Sequence, residues 1–178
     1  MLAMARFEEL RYSLWGIGGE CGVQPALTDA AVVDAQRLLG VTLPGSLLDL
    51  LRHQNGGPVA ASRDAFPTSR PTSWSADHVA FDSMLGIGHR AGAVSMLDSP
   101  YLVEEWGLPA GVVLVAGDGP CWIGLDYRVC GGQGEPSVTW FDAELDMELA
   151  LAVDFQSFIE GLVSTSDFED TDPIETPS

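Results

Sequence analysis

The chain has no lysine: its eight basic residues are all arginine, set against 26 aspartates and glutamates for a formal charge of -18. Nucleic acid and anionic membrane surfaces are thereby excluded as natural partners, since phosphate contacts need a basic patch. A basic protein surface is the expected counterpart. Cysteine is scarce too. Cys21, Cys121 and Cys130 form no CxxC pair and leave at least one thiol unpaired, which argues against a disulfide framework or a zinc site and predicts a reducing cytoplasm. No stretch approaches the ~18 apolar residues of a membrane span. Arg6, Glu8, Glu9 and Arg11 interrupt the N-terminal apolar residues where a signal peptide requires an unbroken core.

What is present suffices for a fold. With 178 residues, 46% apolar and 19% charged, the composition is that of one globular domain, able to bury roughly 70% of the surface its unfolded chain exposes. Over Met4 to Trp15, Phe7, Leu10 and Leu14 share a helical face until Gly16, Gly18 and Gly19 break it. Thr28 or Asp29 caps a second helix with Val32, Val33, Ala35 and Leu39 as its apolar stripe and Gly40 as its stop. Pro44 opens a third, in which Leu47, Leu48, Leu50 and Leu51 face the core and Asn55-Gly56-Gly57 ends the run.

Pro58 to Asp77, rich in Pro, Ser and Thr, reads as a long surface connection. His78 to Gly88 has strand composition, and Ala93 to Glu105 is a helix interrupted at Pro100. Val112 to Ala116, Cys121 to Tyr127 and Val138 to Phe141 are β-prone segments joined by Gly-rich turns. In Asp142 to Asp154 the acids Asp142, Glu144, Asp146 and Glu148 alternate strictly with apolar residues, which predicts a strand carrying all four on one face. Phe155, Phe158, Ile159 and Leu162 then mark a closing helix. Residues 1–164 are expected to form the domain. Residues 165–178, with five acids and no base, are an expected disordered acidic tail.

The stretch VAGDGPCWIGLDY, Val115 to Tyr127, could pass for a ligand loop. A phosphate loop needs a helix after its glycines and a nucleotide site needs a lysine, whereas a strand follows here. An EF-hand spacing is absent as well. A β-hairpin remains, and because Pro120 has no N–H to close a two-residue turn at Asp118-Gly119, the loop is expected to run from Gly117 to Pro120. On the second strand Cys121, Ile123, Leu125 and Tyr127 should face the core, with Trp122, Gly124, Asp126 and Arg128 on a partly wet side.

No enzymatic constellation stands out. His53, His78 and His89 lack ligand-type spacing and read as surface or loop residues; no GxSxG occurs. Asp118 and Asp126 could serve as acid and base, but a turn aspartate and a strand-face aspartate are the commoner explanation. The five tryptophans, Trp15, Trp74, Trp106, Trp122 and Trp140, are dispersed and read as core or interface anchors. No cofactor, metal or catalytic set is therefore expected.

The order of landmarks carries a resemblance. LGVTLPGSLLDLLRHQNGG, LGIG, LPAGVVLVAGDGPCWIGLDYR, PSVTWFD and LALAVDFQSFIEGL, spanning about Leu38 to Leu162, resemble the SUKH superfamily of bacterial immunity proteins and fungal cell-wall-synthesis regulators. The resemblance implies an α+β domain, a mainly antiparallel sheet with helices packed against it, and no catalytic machinery. It further implies a cytoplasmic antidote to a cognate toxin domain, often a nuclease, whose basic surface would suit this acidic chain. Asp142, Glu144, Asp146 and Glu148, with Asp126 and Trp122 as neighbours, are the expected contact surface. A solvated acidic edge strand explains the same pattern. The functional alternatives are a regulatory scaffold of the fungal type and a carboxylate-dependent hydrolase.

Overall fold

The computed structural model describes residues 2–17 and 19–171; Gly18 and residues 172–178, the distal part of the expected tail, lie outside it. Among the described residues the chain is α+β, with five α-helices and antiparallel sheets. No helix among them is long and apolar enough to cross a membrane.

Apolar spacing sets the helices. Phe7, Leu10 and Leu14, on and just after α1 (Leu2–Ser13), are buried together. Thr28 caps α2 (Asp29–Leu39) by accepting from the Ala31 N–H at 3.2 Å, and Gly40 closes it in the left-handed region. In α3 (Gly45–His53) the four expected leucines are buried behind Pro44 at the N-cap. Pro100 starts a helix rather than interrupting one: α4 (Ser99–Glu105) follows a 3-10 turn at Met96–Asp98 and holds the proline in its first turn, where a missing N–H needs no partner. Asp154 accepts from the Ser157 N–H at 2.7 Å to open α5 (Phe155–Glu160).

The main sheet runs β5 (Val112–Asp118), β6 (Cys121–Asp126), β7 (Ser137–Asp142) and β8 (Met147–Ala152) in that spatial order, all antiparallel. Both faces are covered. Val113, Val115, Ile123, Leu125, Val138, Trp140 and Leu149 pack on α1, α3 and α5 in the main core. Val112, Leu114, Trp122 and Phe141 meet Leu102, Val103 and Trp106 of the α4 region on the other side. The face expected to be partly wet is thus dry at Trp122 and Asp126, because a helix and the Arg128 side chain lie over it.

The β5–β6 turn is tighter than expected. Asp118 pairs with Cys121, leaving Gly119 and Pro120 as its two residues. Gly119 sits at φ 56° and proline fixes the next φ near -65°, the pattern of a type II′ turn, in which the second residue's N–H is not needed.

Pro58 to Asp77 is also more ordered than a surface connection. β1 (Gly57–Pro58) pairs with β4 (Ser83–Met84), and β2 (Ala65–Pro67) pairs with β3 (His78–Ala80). Ala65 is fully buried because it also exchanges backbone hydrogen bonds with Val163. His78 is a buried strand residue rather than a surface one, with Nδ1 2.7 Å from Asp77. The expected disorder does not begin at 165. Thr165–Thr171 form a 3-10 helix, tied by the Thr165 N–H to Asp64 at 2.8 Å and by Phe168 stacking on His78 with centroids 4.1 Å apart.

Candidate partner-binding site

The six residues singled out from the sequence do not share a strand face. The chain reverses between Asp142 and Met147, so that Asp142 lies opposite Met147 and Phe141 opposite Glu148. Turn chemistry overrides the alternation. The Asp142 carboxylate accepts from the N–H groups of Glu144 (2.9 Å) and Leu145 (3.1 Å), the local bonding by which aspartate starts a turn. Asp146 takes φ 50°, a left-handed conformation that aspartate tolerates better than most residues.

Three of the six are spent inside the fold. Asp142 is 5% exposed and also accepts from the Ser73 hydroxyl. That hydroxyl, aided by the two turn N–H groups, holds its pKa below the usual carboxylate range against the effect of burial. Asp126, 8% exposed, feels burial as its largest influence, which pushes its pKa up. Hydrogen bonds from Arg128 Nη2 (2.7 Å), Nε (2.9 Å) and N–H (3.1 Å), and from Thr139 (3.1 Å), outweigh it and hold the pKa down. Trp122 is buried, its indole N–H donating to the Gly119 carbonyl at 2.7 Å. Glu148 is exposed but paired with Arg128 at 3.1 Å. Glu144 and Asp146 alone of the six are exposed without an ion-pair partner among the described residues.

These two acids stand at the end of the sheet where both hairpins turn, since Cys121 lies between Asp118 and Asp142 in register. A cleft of about 490 Å³ opens there, with Trp74, Asp82, Asp118 and Cys121 on its walls and Phe81, Ile123 and Trp140 beneath. A second, of about 420 Å³, continues from it past Val94 and Gly92, and the two share Asp82, Ser83, Gly117 and Asp118. The geometry of β4 and β5 explains the opening. They are joined where the Leu85 N–H donates to Val115 O at 2.8 Å, beside a bulge in β5. From that junction they diverge toward Asp82-Ser83 on one side and Gly117-Asp118 on the other. The Ser73–Asp142 bond fixes the neighbouring loop to the sheet, and Trp74 remains 49% exposed over the cleft, its ring edge-on to His78.

The chemistry is that of an anionic, aromatic surface. Among the described residues no basic side chain lines either cleft. Burial, followed by the charges of Asp142 and Glu144, pushes the Cys121 thiol up, the opposite of what a nucleophilic thiolate needs. Asp118 and Asp126 cannot work as an acid and base pair, because Asp126 lies five steps along β6 from Cys121, the residue opposite Asp118, a span of roughly 17 Å at ~3.4 Å per residue. Among the described residues no group of three or more His, Cys, Asp or Glu could hold a metal ion. Sequence reasoning missed Trp74 and Asp82 as wall residues. The one local signal was an exposed-type loop carrying a tryptophan among serines, threonines and prolines.

No curated protein matches the chain. The leucine-proline helix ending in Asn-Gly-Gly, the β5–β6 hairpin and the closing Phe-x-x-Phe helix all lie within one matching family model, which covers residues 26–161. The chain belongs to the SMI1 / KNR4 family (SUKH-1).

Proposed function

We propose that this protein is an immunity protein that binds a cognate toxin domain with a basic surface, most simply a nuclease, and neutralises it by masking that surface. The carrying observation is the acidic end of the sheet, where Asp82 and Asp118 line two adjoining clefts, the first walled by Trp74, with no basic side chain among the described lining residues and with the exposed Glu144 and Asp146 on the neighbouring turn. Family membership supports an immunity or regulatory role, and the charge of -18 suits a cationic partner. In this reading the protein acts in the cytoplasm without a cofactor, and no bond is made or broken.

Complementary charge of this kind accelerates association up to ~10^8 to 10^9 M⁻¹s⁻¹ at low salt, and affinity comes from a buried interface of about 1,200 to 2,000 Å². The test is co-expression with the toxin domain encoded beside this gene, scored by survival and co-purification. Rescue with a co-purifying complex is the expected result. Death of cells containing well-folded protein, together with capture of several unrelated partners, would replace the proposal with the regulatory-scaffold reading.

A further inference from the structure

Resting on the partner-binding reading, we infer that the groove where β4 and β5 diverge receives an extended, arginine-bearing segment of the protein partner. Shape is the first argument. The two clefts share Asp82, Ser83, Gly117 and Asp118, so they form one trough that continues from the Trp74 end to the Val94 end. A trough suits a chain better than a globular side-chain cluster.

Charge is the second. Asp82 and Asp118 are both exposed on the shared section, and neither has an ion-pair partner among the described residues. An exposed indole, Trp74, stands on the same wall system. A planar guanidinium can stack on an indole while its fork of N–H donors engages a carboxylate, a combination that a lysine ammonium satisfies less well.

The backbone supplies the third argument. Asp118 and Cys121 flank the two-residue turn and so form the narrow hydrogen-bonded pair of the ladder. One residue earlier, at the Gly117–Trp122 pair, the phase of the ladder reverses, so that β6 does not claim the N–H and C=O of Gly117, a residue that lines the shared section of the trough. Gly117 is exposed, and at φ 139° its backbone packs too closely on Cys121 and Trp122 of β6 to admit a Cβ. An incoming extended segment would therefore meet main-chain hydrogen-bonding groups between two carboxylates, as in strand addition at a sheet edge.

The full chain is tested by calorimetry and tryptophan fluorescence against the peptide Ac-Val-Arg-Val-Arg-Val-NH2 and its Glu-for-Arg analogue, at low salt and at high salt. The purified toxin domain from the rescue experiment is titrated in parallel. The variants are Asp82→Asn/Asp118→Asn, Trp74→Ala, and Glu9→Gln/Asp34→Asn on α1 and α2, which makes the same charge change away from the trough. All are checked by circular dichroism and melting. The expected result is that the arginine peptide binds and the glutamate analogue does not. Losing each charged contact should weaken binding of the arginine peptide by about tenfold or more, while the helix variant stays within about twofold of wild type. Wild-type protein that ignores the arginine peptide, or a folded groove variant that binds it and the toxin as tightly as wild type, overturns the inference. Rescue by both wild type and groove variant with unchanged affinity removes the groove but leaves the immunity function intact. Failure of rescue alongside groove-dependent peptide binding removes the immunity function and leaves the groove.

Discussion

Replacing Asn55 by alanine should be among the most damaging single polar changes in this chain. Its side chain is 2% exposed and makes three hydrogen bonds, each 2.8 Å: Nδ2 donates to the carbonyls of Pro25 and Ile87, and Oδ1 accepts from the Ile87 N–H. These bonds join the end of α3 to the segment before α2 and to the one after β4. Truncation strands three backbone groups in a site with little room, because an added Cβ on Gly86 would come within 2.2 Å of the Asn55 carbonyl oxygen. At about 1 kcal/mol per bond the loss is about 3 kcal/mol, or roughly 6–12 °C in Tm for a domain of this size. Urea unfolding followed by tryptophan fluorescence and circular dichroism gives the value directly. A loss below about 1 kcal/mol would refute the reasoning, since even one stranded buried polar group should exceed it. Asn55→Asp sharpens the test: it keeps an acceptor for Ile87 but sets a carboxylate against two carbonyls, and should be no milder than alanine.

Three other outcomes follow from the same physics. Asp126 has a depressed folded pKa, so its contribution is present above the unfolded value of ~3.9 and is lost as pH falls through the lower folded one. Arg128→Met leaves burial as the dominant influence, and should cost about 2 kcal/mol at pH 7 but clearly less near pH 4; urea midpoints that drop equally at both pH values would contradict this. Gly117→Ala places a Cβ 2.4 Å from the Cys121 carbonyl oxygen at φ 139°, and should lower stability by about 2 kcal/mol or more, measurable as a fall in Tm. At pH 8, iodoacetamide should modify exposed Cys21 and Cys130 before Cys121, whose raised pKa leaves little thiolate. Glu144→Gln removes one raising charge and should speed Cys121 alone, as read by peptide mass mapping.

Much of the fold was legible because it is written in periodicity. The leucines of α3, the Phe7-Leu10-Leu14 face and the Ile123-Leu125-Tyr127 side of β6 are all buried where the spacing placed them. Misreadings arose where a side chain bonds its own backbone. The Asp142 carboxylate turns the chain at Glu144 and Leu145, so a pattern that alternates like a strand folds back on itself. Pro100 and Pro120 misled for a related reason: each sits at a position in its helix or turn where its N–H is not required. Asn55 looked like a helix stop and nothing more, because its partners lie about thirty residues away in sequence.

The sequence alone determined the charge and the helix faces, because each depends on composition or on neighbours within a turn, and the order of its landmarks carried the resemblance that implied the α+β class. Tertiary structure decided which acids remain available. Asp142 is held by the Ser73 hydroxyl and Asp126 by Thr139 of the adjacent strand together with Arg128, partners that loop and strand placement complete, while Asp82, Asp118 and Trp74 converge on one groove from three separate segments. Whether a carboxylate faces a partner or stabilises its own fold depends on what the rest of the chain places beside it, and no local pattern encodes that.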